Sequence, residues 1–88
     1  MTDLPTVLAQ LTTWWCEILD RSDVAAGDNF LEQGGQSMQI VVLLGHIEAR
    51  FGVTIGFGEF LECQTMEQLA ERILERHREA SASASLIV

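Results

Sequence analysis

The chain has 88 residues, 48% of them hydrophobic, and its 13 acidic against 5 basic side chains give a formal net charge of −8. This length provides one domain with a thin core, and the negative charge argues against nucleic-acid binding because it repels phosphate backbones. No apolar run reaches the roughly 18 residues of a membrane span, and the first residues lack the pattern of a secretory signal, so we expect a cytoplasmic protein.

The cysteines and histidines do not form a metal-ligand pattern. Cys16 and Cys63 are far apart in the sequence, and His46 and His77 add no ligand spacing to either of them. We therefore expect no zinc site. In a reducing compartment both thiols are expected to be small residues in the core or at its boundary.

Apolar residues recur at three- and four-residue spacing in the first part of the chain, which predicts an amphipathic helix over residues 5–19. Pro5 suits the first turn of this helix, where its missing N–H has no cost. The expected buried stripe consists of five side chains: Leu8, Leu11, Trp15, Ile18 and Leu19. Trp14 lies off the centre of this stripe, so we expect it to be partly exposed.

Residues 20–36 lose this periodicity and are rich in Asp, Ser, Gly and Asn, which predicts a long loop. A loop of this length in a small domain more often has a function than serves only as a connection. Its apolar residues are expected to pack against the core. Phe30 is the best candidate for that anchor. The loop ends in Gly34 and Gly35, which predict a tight turn leading to Ser37.

A second helix is predicted over residues 37–50, with Gly52 as its stop signal. Its expected inward face consists of five side chains: Ile40, Leu43, Leu44, Ile47 and Phe51. Met38, Val41 and Val42 make the apolar surface wider than one stripe. Two interpretations stay open for these three residues, namely a wide face toward the core and a surface presented to a partner.

The rest of the chain predicts a connecting loop over residues 52–61 with a short helical turn at 57–61, followed by a last helix. Thr65 and Gln68 fit the capping-box pattern at the start of that helix. Its expected buried side consists of Met66, Leu69, Ala70 and Ile73. We expect the helix to fade after Arg78, which gives one domain over residues 1–78 and a disordered Ala/Ser-rich tail over residues 79–88.

Three segments together resemble the acyl and peptidyl carrier protein family, over roughly residues 6–78. They are the stretch from Asp28 to Met38 with its Gly-Gly-x-Ser sequence, the stretch from Ile47 through Phe51-Gly52-Val53, and the stretch from Thr65 to Leu69. The doubled glycine is most like the peptidyl carriers of non-ribosomal peptide or hybrid assembly. The resemblance implies an all-α bundle of three main helices and one short irregular helix. Met1 and the short tail suggest a free-standing carrier.

The resemblance also implies a function centred on Ser37. In this family such a serine receives 4′-phosphopantetheine from coenzyme A, and the thiol of that arm holds aminoacyl or acyl intermediates as thioesters for natural-product biosynthesis, including antibiotics. The carrier itself is not an enzyme. Gly34 and Gly35 leave room at the attachment site, and the N-terminus of the second helix favours the added negative charge.

The implied partners are a phosphopantetheinyl transferase, a loading adenylation or acyltransferase enzyme, and downstream condensing or tailoring enzymes. We expect a monomer that binds neither nucleic acid nor membrane. The apolar character of the residues around Ser37 suggests that the partners contact six side chains: Gln36, Met38, Val41, Val42, Phe57 and Leu61.

Two other functions and one structural role compete with this interpretation. A serine hydrolase is disfavoured because Gln39 stands where the nucleophile elbow needs glycine, and because His46 lies half a revolution around the helix from Ser37. A small acidic adaptor without a prosthetic group would bind a basic partner through the second helix. Ser37 could also serve only as a helix N-cap, a frequent role of serine.

Overall fold

Four helices form the fold of this computed structural model, which describes residues 2–32, 34–63 and 65–87, with side chains described up to residue 80. They are α1 (Leu4–Leu19), α2 (Ser37–Phe51), α3 (Phe57–Glu62) and α4 (Met66–Ile87). No strand occurs within these ranges. The predicted all-α class and the predicted short third helix are confirmed.

Helix α1 begins and ends with local signals in its sequence. The carboxylate of Asp3 accepts a hydrogen bond from the Thr6 N–H at 3.0 Å, which caps the first turn. At the other end Asp20 adopts the left-handed conformation with φ of 53° and closes the helix. Trp14 is half-buried, as the sequence predicts.

The core lies mainly between α1 and α4, which make the most extensive helix contact. From α1 the predicted Leu11 and Trp15 are buried, together with Val7, while Leu8, Ile18 and Leu19 pack at the edge of the core. Helix α4 contributes the four side chains predicted for it, all of them fully buried: Met66, Leu69, Ala70 and Ile73. Because α2 packs on both α1 and α4, its N-terminus has a fixed place on this core.

The end of α4 differs from the sequence prediction. The helix continues to Ile87, so its predicted end after Arg78 is wrong. Residues 79–87 contain no glycine or proline, and their alanines are the strongest helix formers, so nothing in the local sequence stops the helix. The side chains of residues 81–87 and the whole of Val88 lie outside the described part of the chain. The boundary between a domain over 1–78 and a tail over 79–88 stays a prediction.

The described residues lack two features, one that concerns membranes and one that concerns metals. None of the helices in those residues combines the length and the apolar character that crossing a membrane requires. No cluster of three or more His, Cys, Asp or Glu side chains is arranged there to hold a metal ion. Cys16 and Cys63 are both half-buried and free, which agrees with their predicted place at the boundary of the core.

Candidate functional site

Ser37 is the first residue of α2 and is exposed. The N-cap of the helix is Gln36, in an extended conformation, and its N–H donates a hydrogen bond to Oε1 of Gln39 at 2.8 Å. The interpretation of Ser37 as an N-cap is therefore wrong, because the preceding residue takes that position. The Ser37 side chain points into solvent at the positive end of a helix.

The two glycines before Ser37 are required for different structural reasons. Gly34 has a φ of 93°, a left-handed conformation that side chains disfavour. Gly35 approaches Phe30 closely, since its N–H donates to the Phe30 carbonyl at 2.9 Å. A Cβ atom on Gly35 would lie 2.2 Å from the Phe30 ring. The turn therefore needs glycine once for its backbone angle and once for the missing side chain.

Phe30 anchors this turn to the core, as the sequence predicts, and is only 2% exposed. Its ring makes edge-to-face contacts with Trp15 at 4.9 Å and with Phe60 at 5.9 Å between ring centroids. Such pairs add stability beyond the burial of apolar area. The position of Ser37 is thereby connected through Gly35 and Phe30 to the buried indole of α1.

Gln39 supports the start of α2, a structural role that is not among the sequence predictions. Its Oε1 caps the start of α2, and its Nε2 donates to the Ile18 carbonyl at 3.1 Å. One side-chain amide thus fastens the beginning of α2 to the end of α1. The spacing of Gln36 and Gln39 is a sequence signal for the capping hydrogen bond at the start of α2. The bond to Ile18 depends on tertiary packing, for which the sequence contains no local signal.

The loop before the glycines is organised by its own side chains. Oδ1 of Asn29 accepts hydrogen bonds from the N–H groups of Leu31 at 2.9 Å and Glu32 at 3.2 Å. Oδ2 of Asp28 accepts one from the Ala25 N–H at 2.7 Å. These are local turns that short polar side chains stabilise. They fix the backbone on both sides of the anchor Phe30.

The same loop is also fastened to the first turn of α4. The N–H of Met66 donates to the Asp28 carbonyl at 3.1 Å, and the N–H of Glu67 donates to the Ala26 carbonyl at 2.9 Å. These are two of the N–H groups that a helix start leaves without a partner inside the helix. Thr65 supplies a further cap through Oγ1, which accepts from the Gln68 N–H at 3.2 Å. The described part of the loop up to Glu32 therefore has a defined path between α1 and the anchor Phe30.

Six large apolar side chains are exposed in the described part of the molecule: Leu31, Met38, Val41, Val42, Phe57 and Leu61. Met38, next to Ser37, is 78% exposed. The interpretation of Met38, Val41 and Val42 as part of a wide face toward the core is therefore wrong, and their presentation to a partner stays a prediction. The exposure of Leu31 is not among the sequence predictions, although its place beside the buried Phe30 is a signal that it faces outward.

The electrostatics at Ser37 suit an anionic substituent. The first turn of α2 contains no acidic residue, so no carboxylate of that turn already neutralises the helix dipole. A negative group at such a helix start is favoured by about 0.3–1 kcal/mol. The site can therefore hold a phosphodiester on the serine oxygen.

The two histidines are engaged away from Ser37. The imidazole of His46 stacks on the indole of Trp14 with ring centroids 5.4 Å apart. Nδ1 of His77 lies 3.1 Å from the carbonyl oxygen of Phe51, at the opposite end of α2 from Ser37. Neither arrangement supplies Ser37 with the general base that a serine hydrolase requires.

The chain matches one protein family and is similar in sequence to several named proteins. The family described as a phosphopantetheine attachment site matches residues 9–73. The chain is 33% identical over 79 residues to indigoidine synthase of Streptomyces lavendulae and 30% identical over 79 residues to tyrocidine synthase 2 of Brevibacillus parabrevis. It is 31% identical over 83 residues to a hybrid PKS-NRPS synthetase of Emericella nidulans.

These relatives are much longer than the chain itself. Each match covers 90% of this chain but only 6%, 2% and 2% of the respective relative. The chain thus corresponds to one small part of each synthetase.

Proposed function

The chain belongs to the phosphopantetheine attachment site family, and from this premise we propose that Ser37 is the residue that bears the 4′-phosphopantetheine arm. The observation that carries this assignment is an exposed serine at the first position of α2, which only Gln36 separates from a glycine turn held on Phe30. The arm supplies a thiol on which an aminoacyl or acyl group is held as a thioester. The protein's own residues hold that arm outward and conduct no bond chemistry.

The carrier role belongs to natural-product biosynthesis, in agreement with the named synthetases among its relatives. Carriers of this family are in general non-catalytic and work with partner domains of synthetases. An adaptor without a prosthetic group does not account for the family match. We further propose that the chain is a monomer, and that it is a substrate of a phosphopantetheinyl transferase and of an adenylation or acyltransferase enzyme that loads it. Condensing or tailoring enzymes then use the load.

We propose that these partners contact the docking face, a surface that we define by Gln36 and the six exposed apolar side chains: Leu31, Met38, Val41, Val42, Phe57 and Leu61. Three of its members lie on α2, and two lie on α3, which packs against α2. Apolar side chains exposed beside a modified residue have no role in the core of this domain. Their exposure is explained if a partner covers them during transfer.

The assignment is tested by intact-mass measurement after incubation with coenzyme A and a broad-specificity phosphopantetheinyl transferase. We expect the wild type to gain the mass of one phosphopantetheine and Ser37→Ala to gain none while keeping its helical circular dichroism. Met38→Ala should be modified more slowly, because an exposed apolar contact is removed without disturbing the core. A folded wild type that gains no mass, or a Ser37→Ala variant that gains it equally, would overturn the proposal.

A further inference from the structure

Helix α3 is joined to α4 by one carboxylate and two guanidinium groups. Nη1 of Arg72 lies 2.6 Å from Oε2 of Glu59, and Nη2 of Arg76 binds the same oxygen. The Glu59 side chain is only 14% exposed. The other ion pair in the described residues, between Arg21 and Asp23, lies at the surface, where the Asp23 side chain is 72% exposed.

The Glu59 carboxylate is partly shielded from water, while the Arg72 and Arg76 side chains are 34% and 41% exposed. Charges that are shielded from water attract each other more strongly and are less screened by salt. The hydrogen bond from Arg72 lowers the pKa of Glu59, burial opposes this effect, and the charge of Arg76 adds to the lowering. The carboxylate is therefore ionised at neutral pH and bound to both arginines.

Helix α3 needs such a contact because it is too short to be stable alone. It has 6 residues, its N-cap is Gly56 without a side-chain cap, and Phe60 is its one buried residue. Isolated helices shorter than about 12 residues are marginal in water. One buried apolar side chain fixes how deeply such a helix packs into the core. It only weakly fixes the rotation of the helix about its own axis.

Glu59 lies on the side of α3 opposite its exposed residues, because it is two positions from both Phe57 and Leu61 in the helix. Glu59 and Phe60 are neighbours that point toward α4 and the core, respectively. Phe57 and Leu61 are four residues apart, so they share one face, and both are exposed. Any rotation of α3 would therefore move both of these docking-face residues together.

We propose that Glu59 is a positioning residue for partner docking, which holds α3 on Arg72 and Arg76 so that Phe57 and Leu61 stay in register with Ser37. This inference rests on the proposed function of the docking face. Glu59 does not touch the partner or the arm. It acts through the orientation of α3, and its replacement should weaken recognition of the carrier while the reaction at Ser37 stays intact.

The test is the steady-state modification of Ser37 by one transferase, at a temperature far below unfolding. We expect Glu59→Gln to raise KM for the carrier about three- to tenfold with an unchanged kcat, because a bound partner must first reorient α3. Asp23→Asn is the matched control, since it makes the same acid-to-amide change in an exposed ion pair. Its KM should equal that of the wild type.

A double-mutant cycle distinguishes positioning from a general loss of stability. If Glu59 acts through the α3 face, Glu59→Gln should raise KM much less in a Phe57→Ala background than in the wild type. A loss of stability alone would act independently of Phe57. Arg76→Gln, which leaves the Arg72 bond in place, provides a milder variant with the same direction of effect if Glu59→Gln does not fold.

The possible results distinguish a failure of the positioning role of Glu59 from a failure of the function proposed for Ser37. A wild type that is never modified would contradict the function of Ser37 itself. A modified wild type together with a folded Glu59→Gln variant of normal KM would overturn the positioning role. Equal effects of Glu59→Gln with and without Phe57 would also overturn it. A raised KM that depends on Phe57 would support it.

Discussion

Gly35 is the residue at which the site has the least room for change. A Cβ at this position would lie 2.4 Å from Cε2 of the Phe30 ring and 2.7 Å from the Phe30 carbonyl oxygen. The ring cannot withdraw, because Trp15 and Phe60 contact it from two directions. We expect Gly35→Ala to lower the free energy of unfolding by about 1–3 kcal/mol and to slow modification of Ser37. Denaturant unfolding measures the first effect.

Gly45→Ala is the matched control for this prediction. Gly45 is exposed within α2, and a Cβ there meets no atom within 4 Å. The same chemical change should therefore raise the free energy of unfolding, by up to about 1 kcal/mol, through helix propensity alone. Equal stability changes in the two variants would contradict the close packing of Gly35 on Phe30.

At the scale of single residues, the sequence is informative where local chemistry decides the outcome. The exposure of Met38 is one of two alternatives that the excess of apolar residues on α2 leaves open, whereas the tight glycine turn and the anchoring Phe30 follow from turn chemistry and from the need to bury an aromatic side chain. The bond from Gln39 to the Ile18 carbonyl does not, because it joins residues from two helices. The contact of Glu59 with Arg72 and Arg76 likewise depends on how α3 lies on α4.

At the scale of elements, the proposed boundary after Arg78 leads to a truncation experiment. Leu74 is the last buried residue described in α4, and residues 78–80 are exposed. We expect a chain that ends at Arg78 to unfold with a free energy within about 0.5 kcal/mol of the full chain, because exposed positions contribute little. Thermal and denaturant unfolding provide the measurement.

A chain that ends at Ile73 is the control for the truncation. It lacks the buried Leu74 and the contact of His77 with the Phe51 carbonyl oxygen. Loss of a buried leucine alone costs about 2–5 kcal/mol, so this shorter chain should be much less stable. If the chain ending at Arg78 were destabilised to a similar degree, the boundary would have to be moved toward the C-terminus.

The starts of α1, α2 and α4 follow from the sequence better than the end of α4. Asp3, Gln36 and Thr65 directly precede α1, α2 and α4, and a hydrogen bond at each start agrees with a cap there. The end of α4 has no such signal, since its last residues are alanine, serine and aliphatic residues. Where no glycine or proline occurs, local sequence alone does not fix the last turn.

At the scale of the whole molecule, the net charge is −8, and most arginine side chains already contact another group of the chain. Arg72 and Arg76 bind Glu59, Arg21 binds Asp23, and Arg50 lies over the ring of Phe51. An approaching protein therefore meets a surface of mainly negative charge. Opposite charges accelerate encounter, and salt screens this attraction.

We therefore expect the rate of modification by a transferase with a basic carrier-binding surface to fall about tenfold between low and high ionic strength. Stopped-flow or initial-rate measurements over a salt series test this expectation. Met38→Ala should lower the rate at every salt concentration without changing the slope, because it removes an apolar contact. A wild-type rate that does not depend on salt would contradict electrostatic steering.

The packing of Trp15 on Phe30 has a spectroscopic consequence. The indole is buried in edge-to-face contact with the ring that supports Gly35, two positions before Ser37. Indole emission depends on the groups around it, so we expect movement at Ser37 to be transmitted to a native fluorophore. Trp14, stacked on His46 near the far end of α2, emits from a separate environment. In a Trp14→Phe background Trp15 is the remaining indole, and we expect its emission to change when Ser37 is modified, without any attached dye.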